Sequence, residues 1–187
     1  MDSYQRIAES FQTTIEAATM TVDGLAENLS LASELLVNAL LEDRKVVTAG
    51  SGSLRAMASL FAEQMMGPGA LERPALPTIT LQPLADNRGS SADESLARQL
   101  RALGQAGDVL LIVCGDSSEC HGAIAAAAER SMHVICICVS DSSGMLATGE
   151  RLHVSIAAAD ERSCPALATM AVTTLVELIE TGLFGTE

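Results

Sequence analysis

The chain has 187 residues, of which 48% are hydrophobic, so it is long enough for one domain with a substantial core. Because it contains no Trp, one Tyr and three Phe, that core must consist mainly of Leu, Ile, Val, Ala and Met, as is typical of helices packed on a parallel sheet. A formal net charge of -13 opposes direct binding to nucleic acid or to an anionic membrane.

The cysteines and the N-terminal residues predict a cytoplasmic protein with reduced thiols. The chain has five cysteines, an odd number, scattered through its second half. Its first residues show no basic stretch followed by an apolar one, which a secretion signal would need. The apolar runs are short or interrupted, so we expect none to reach the roughly 20 residues that span a bilayer.

Residues 1–44 are predicted to form a helical segment that belongs to the same domain as the sheet in residues 45–187. Two helical patterns lie between residue 4 and about residue 42, separated near Asp23 and Gly24. Such helices either cover their own sheet or pack against another subunit. Their apolar positions are Ile7, Phe11 and Ile15 in the first helix and Leu25, Leu29, Leu36 and Leu40 in the second.

Apolar runs that alternate with helical patterns make up the rest of the chain. This alternation predicts an α/β fold with a doubly wound, five-stranded parallel sheet, flavodoxin-like, flanked by helices. Ligands bind beyond the carboxyl ends of such strands, so the loops at 50–53, 82–91, 114–119 and 140–144 are the candidate site. The predicted strands are 46–49, 76–81, 108–114, 132–139 and 152–157, and the predicted helices are 54–66, 92–104, 119–130 and 164–182.

The first predicted strand ends in a glycine-rich turn that leads into a helix. A helix N-terminus exposes unpaired N–H groups at the positive end of the helix dipole, which suits a phosphate group. We therefore predict that Gly50, Ser51, Gly52 and Ser53 bind a phosphate.

The loop after the third strand supplies two further candidate phosphate donors, Ser117 and Ser118. Asp116 and Glu119 place negative charge beside them, which disfavours a phosphate dianion. An alternative for Ser118 and Glu119 is helix capping, with the hydroxyl as the cap and the acid in the first turn. Capping and weak ligand binding are compatible with each other.

Cysteines and histidines that are close in sequence raise the question of a metal site. Cys114, Cys120 and His121 fall close together, and Cys136 and Cys138 lie in an apolar strand pattern. Zinc sites usually carry paired ligands on turns, whereas Cys-x-Cys in an apolar strand is typical of small buried side chains. We therefore predict no metal and no cofactor.

A known family matches segments along nearly the whole chain: Val46–Ser53, Phe61–Glu63, Glu72–Pro77, Arg98–Leu111 and Leu183–Gly185. They resemble the sugar isomerase (SIS) domain family, in the branch that holds the phosphoheptose isomerases and the DnaA initiator-associating protein. The stretch from Arg101 to Leu111 is the most specific part, whereas the glycine-serine turn alone would be weak. The resemblance implies a homotetramer with N-terminal helices between subunits, and a phosphosugar ligand at the turn.

The isomerases of this family transfer protons with a Glu and a His on opposed helices, which together with a further His and a Gln can hold zinc. Counted from the matching segments, the first zinc His corresponds to Leu60 and the Glu to Gln64. The Gln corresponds to Pro165 and the second His to Ala168. Because none of these side chains can transfer a proton, the resemblance implies that catalysis is lost, with Glu63 as the fallback acid.

The end of the chain carries a candidate partner-binding pair, Leu183 and Phe184, after a Gly182 that is expected to stop the last helix. In the DnaA initiator-associating protein a Leu-Phe pair at the matching place helps to contact the replication initiator DnaA. The alternative is that the pair packs against a neighbouring subunit.

The sequence therefore predicts a non-catalytic SIS domain protein that acts as an oligomeric, protein-binding adaptor, with DnaA as a candidate partner, or as a sensor of a sugar phosphate. The alternative is a phosphoheptose isomerase that converts sedoheptulose 7-phosphate with an altered active site. Loss of the proton-transfer positions favours the first function class, while retention of the turn from Ser51 to Ser53 leaves sensing open.

Overall fold

The computed structural model describes residues 2–68, 72–84, 89–139, 151–156 and 163–185. Its strands are β1 (Val46–Gly50), β2 (Thr78–Thr80), β3 (Val109–Cys114), β4 (His133–Cys138) and β5 (Arg151–Ser155). Its helices are α1 (Ser3–Leu41), α2 (Arg55–Met66), α3 (Ala92–Leu103), α4 (His121–Glu129) and α5 (Cys164–Phe184). Short 3-10 turns, Gly52–Leu54 and Ser117–Cys120, precede α2 and α4.

The five strands form one parallel sheet in the order β2-β1-β3-β4-β5, which confirms the predicted fold class. The strand order reverses between β1 and β3, which pair with Gly50 opposite Val113. Ligands of open α/β sheets bind at such a reversal, beyond the carboxyl ends of the strands. The turn after β1 and the loop after β3 therefore lie side by side.

Helices cover both faces of the sheet because the strands are apolar on both sides. In β3, Val109, Leu111 and Val113 contact one core with α1, α2 and α5, while Leu110 and Ile112 contact a second core with α3 and α4. Strands buried on both faces give continuous apolar runs rather than alternating ones. This double burial is why the strands could be located from sequence.

The prediction of two N-terminal helices is wrong, because α1 is one continuous helix of 39 residues. Gly24 costs a helix interior about 1 kcal/mol relative to Ala. Burial of Leu25, Leu29 and Leu36 in the core offsets that cost. The first half of α1 extends past the core, where Phe11 is 70% exposed.

Helix α5 does not stop at Gly182 as expected but continues to Phe184, with Gly185 at a positive φ of 80° as its C-cap residue. A Cβ on Gly182 would lie 2.9 Å from Cγ2 of Val37, so the missing side chain lets α1 approach closely. An apolar groove nearer the start of α5 is lined by Ala18 of α1 and Leu167 of α5. These two contacts show that α1 and α5 run parallel.

The described residues include one helix, α5, that is long and apolar enough by length and composition to cross a membrane, with a mean hydropathy of 1.5 over its best window. The expectation that no segment reaches that length is therefore wrong. The core helix of a soluble protein can have the same composition, and Val172, Leu175 and Ile179 are fully buried in the core here.

One of the four loops predicted to face the ligand, 140–144, lies outside the described residues, as do residues 85–88 of the loop at 82–91. The described part of the candidate site therefore consists of the other loops and the helices that follow them.

Candidate functional site

The turn after β1 is held by its own main chain. The Ser51 N–H donates to the Val113 carbonyl at 3.0 Å, and the Leu54 N–H donates to the Ser51 carbonyl at 3.0 Å. Gly52 adopts a positive φ of 50°, and its carbonyl accepts from Nε of Arg55 at 3.0 Å. The Ser51 amide is thus engaged with β3, and the exposed part of the turn is Gly52 and Ser53.

A cleft of about 230 Å³ lies beside this turn, at the reversal of strand order. It brings the predicted phosphate-binding residues Gly50, Ser51 and Gly52 together with residues from α3 and from the loop after β3. Its described lining also includes Arg55, Pro83, Ala92, Asp93, Leu96, Glu119 and Cys120. Two carboxylates and one guanidinium therefore face the same small space.

The two serines of the loop after β3 are placed differently from each other. Ser117 is buried, and Ser118 is exposed with its N–H donating to a carboxylate oxygen of Asp116 at 2.7 Å. Asp116, rather than Ser118, is therefore the residue whose side chain caps the 3-10 turn. A carboxylate that already binds this amide replaces the anion that a phosphate-binding loop would take.

Asp93 lines the cleft beside the β1 turn and was not singled out by the sequence analysis. It reaches from α3 to the N-terminus of α4, where its Oδ2 accepts from the Gly122 N–H at 2.7 Å and its Oδ1 from the Ala123 N–H at 2.8 Å. A capping box between Ser91 and Glu94 fixes the first turn of α3. That Ser-x-x-Glu pattern was visible in the sequence and marks where α3 begins.

A second cleft, of about 380 Å³, lies between α2 and α5. Leu60 and Gln64, the positions that correspond to the zinc His and the catalytic Glu, both line it, as does the fallback acid Glu63. Oε1 of Gln64 is buried and has no hydrogen-bond partner among the described residues. The structure therefore brings these three residues together at one cleft.

The α5 positions chosen from sequence do not line this second cleft. Ala168 is fully buried in the core, and Pro165 is exposed in the first turn of α5. The α5 residues that face the cleft are instead Thr173, Val176, Glu177 and Glu180. Pro165 lies eight residues before Thr173, or roughly 12 Å along the helix axis.

Arg73 binds two residues that line the second cleft, Gln64 and Glu180, and the sequence analysis did not single it out. Its Nε and one terminal nitrogen lie 2.7 Å from Oε1 of Glu180, and its guanidinium donates to the carbonyls of Gln64, Met65 and Pro74. Both members of the ion pair are buried. Arg73 therefore ties the end of α2 to α5.

The three histidines lie away from the second cleft. His121 is exposed at the start of α4, His133 begins β4 and His153 lies in β5. Among the described residues, no group of three or more His, Cys, Asp or Glu side chains is arranged to hold a metal ion. None of the described residues that line the α2–α5 cleft is a histidine.

Three of the buried cysteines cluster at the carboxyl ends of β3 and β4. Sγ of Cys114 and Sγ of Cys138 are 3.6 Å apart, in directly paired positions of the two strands. Hydrogen bonds with Cys120 and Cys138, together with burial, raise the pKa of Cys114, while the hydrogen bond with Cys114 lowers the pKa of Cys138. Burial and mutual hydrogen bonding fit the interpretation of these thiols as packing residues.

The two residues of the C-terminal pair, Leu183 and Phe184, differ in burial. Leu183 is half-buried and packs against the core, whereas Phe184 is 43% exposed. Phe184 is therefore the member of the pair that is available to another molecule.

Comparison with known proteins identifies the family. The family model described as SIS domain matches residues 9–138, which is more than half of the chain. The chain belongs to the SIS domain family. This SIS domain protein is 30% identical over 195 residues to the phosphoheptose isomerase of Alkalilimnicola ehrlichii, covering 99% of both chains.

Other relatives of this SIS domain protein carry two different names. It is 34% identical over 191 residues to the DnaA initiator-associating protein DiaA of Yersinia pestis, covering 96% of both chains. The solved phosphoheptose isomerase GmhA of Neisseria gonorrhoeae superimposes with a TM-score of 0.84 at 26% identity, over 96% of this chain and 100% of that one. The resemblance to the phosphoheptose isomerase and DiaA branch is thus confirmed, and the choice of function depends on the site.

Proposed function

We propose that this SIS domain protein is a non-catalytic, oligomeric adaptor that binds another protein, with DnaA as its partner. The observation that carries the proposal is the composition of the α2–α5 cleft, where Leu60 and Gln64 occupy the positions implied for the His and the Glu of the isomerases. Aldose–ketose conversion needs a titratable group within hydrogen-bond reach of the sugar carbons. An alkyl chain and an amide cannot take that part.

The partner assignment follows the similarity to a protein named DnaA initiator-associating protein DiaA. An exposed aromatic side chain next to aliphatic residues is a suitable anchor for a protein partner, and Phe184 has that character. A cytoplasmic location agrees with such a partner and with five free cysteines in the described residues.

Self-association is part of the proposal, because the first half of α1 carries apolar side chains that its own core does not cover. Tyr4 is 76% exposed, and Ile7, Phe11 and Ile15 are each more than half exposed. A homotetramer that covers this stripe would present four copies of Phe184, and linked copies raise avidity without any new contact.

A second candidate function is an isomerase with an altered active site. It is favoured by Glu63, an exposed carboxylate that lines the α2–α5 cleft next to Leu60 and Gln64. It is also favoured by the relatives named phosphoheptose isomerase.

Turnover of sedoheptulose 7-phosphate separates the two functions. We expect the purified protein to convert it no faster than buffer does, because neither Leu60 nor Gln64 can transfer a proton. The assay is product detection by mass spectrometry at several substrate concentrations, with Glu63→Gln as the matched variant. Saturable conversion by the wild type that Glu63→Gln abolishes would move the assignment to the isomerase.

Phe184→Ala is expected to weaken binding to purified DnaA at least tenfold, because it removes an exposed aromatic anchor from every copy in the oligomer. Biolayer interferometry measures the affinity, and light scattering checks that the oligomer is unchanged. Leu103→Ala, which shortens another exposed apolar side chain at the end of α3, is the control and should leave binding unaffected. Dissociation of the Phe184→Ala oligomer would instead assign Phe184 to a subunit contact.

A further inference from the structure

Asp93, which lines the cleft beside the β1 turn, occupies two main-chain donors at the start of α4. The N–H groups of Gly122 and Ala123, in the first turn of α4, each donate to a different oxygen of the Asp93 carboxylate, at 2.7 and 2.8 Å. This bidentate pairing with N–H groups at the positive end of a helix is the contact that a phosphate makes at such a position. The carboxylate thus stands where a ligand anion would bind.

Two features of the chain keep Asp93 in that position. The capping box of Ser91 and Glu94 fixes the turn of α3 from which Asp93 projects. At the other end, a Cβ on Gly122 would lie only 2.7 Å from Oδ2 of Asp93, so the missing side chain of Gly122 is what lets the carboxylate reach the amides. The contact between the carboxylate and the amides therefore depends on Asp93 in α3 and on Gly122 in α4.

The charges around the cleft also oppose the binding of phosphate. Glu119 lines it together with Asp93, and Arg55 is the one cationic side chain in its described lining. Nε of Arg55 already donates to the carbonyl of Gly52 at 3.0 Å. A phosphate dianion would have to displace one carboxylate and approach a second, which like-charge repulsion opposes.

We propose that Asp93 is a built-in anion that sets the ligand specificity of this cleft, by occupying the α4 N-terminus and excluding phosphate groups from it. The inference rests on the Asp93 contacts and the cleft lining and goes beyond the proposed adaptor function. Phosphate bound at these amides in the wild type would overturn the inference and leave the turnover test unaffected. Turnover by the wild type would overturn the adaptor function alone, because the Asp93 variants test the inference separately.

The test is the affinity of Asp93→Ala for inorganic phosphate. Full-length protein is heated in increasing phosphate at constant ionic strength, because a ligand that binds only the folded state raises the melting temperature with the logarithm of its concentration once that exceeds the dissociation constant. We expect the dissociation constant to fall at least tenfold relative to the wild type. A crystal of the variant grown with phosphate should show the anion within hydrogen-bond distance of the Gly122 and Ala123 amides.

Glu119→Gln is the matched control, since it removes one negative charge from the same cleft without freeing the two amides. It should change the dissociation constant less than threefold. If Asp93→Ala does not fold, Asp93→Asn takes its place, because its amide oxygen can still accept one N–H, and it should give a smaller but measurable gain. Equal gains from Glu119→Gln, no gain from the folded Asp93 variant, or phosphate bound at these amides in the wild type would each overturn the inference.

Discussion

Replacing Arg73 with methionine is expected to lower the free energy of unfolding by about 3–5 kcal/mol, because it leaves the charge of Glu180 buried without its partner. The side chains of Arg73 and Glu180 are 1% and 7% exposed, so water cannot take over the lost contact. The carbonyls of Gln64 and Met65 at the end of α2 lose their donors at the same time. Urea denaturation followed by circular dichroism measures the change.

Two further variants decide whether burial of the charge is the cause. Arg73→Met combined with Glu180→Leu should recover part of the loss, because no uncompensated charge is left in the core. Arg101→Ala breaks an ion pair with Glu129 whose side chains are more than half exposed, and we expect little change there. A loss for Arg73→Met as small as that for Arg101→Ala would show that the buried pair contributes no more than a surface one.

Gly50→Ala is expected to destabilise the protein by about 3 kcal/mol, at the upper end of what overpacking costs. The new Cβ would lie 2.8 Å from Cα of Arg55 and 3.0 Å from the Arg55 nitrogen and the Leu54 carbonyl oxygen. All three are main-chain atoms, so no side chain can turn away to make room. Relief requires the start of α2 to move off the sheet, which should also disturb the β1 turn.

Gly24→Ala is the matched control for Gly50→Ala, and it should act in the opposite direction. A Cβ at Gly24 meets no atom within 4 Å, and the residue lies inside α1. Alanine there should stabilise the protein by about 0.5–1 kcal/mol through helix propensity. Gly50→Ala with a stability equal to that of the wild type would mean that the turn after β1 yields easily, contrary to its main-chain hydrogen bonds.

The parts of the fold that the sequence predicted well are those set by local pattern. Strands such as β3 are continuous apolar runs because both faces are buried, and the turn at Gly50 is marked by its glycines. The sequence predicted a break at Gly24, but α1 continues through it. A single glycine costs little helix stability when the residues of the following turn, Leu25 and Leu29, are buried in the core.

The site was harder to predict because its contacts join residues that are far apart in sequence. Asp93 binds an amide 29 residues away, and Arg73 binds a carboxylate 107 residues away. Helix phase also matters, since Thr173 rather than Ala168 faces Gln64 across the second cleft. Counting from distant matching segments does not determine which face of α5 a residue lies on.

The parallel run of α1 and α5 sets the distance between the two surfaces that are proposed to bind a partner protein and a second subunit. The contact of Gly182 with Val37 places Phe184 near the C-terminal end of α1. From Phe11 to Val37, α1 rises roughly 39 Å at about 1.5 Å per residue. A protein held at Phe184 and a second subunit held on the first turns of α1 would therefore contact separate surfaces of the same copy.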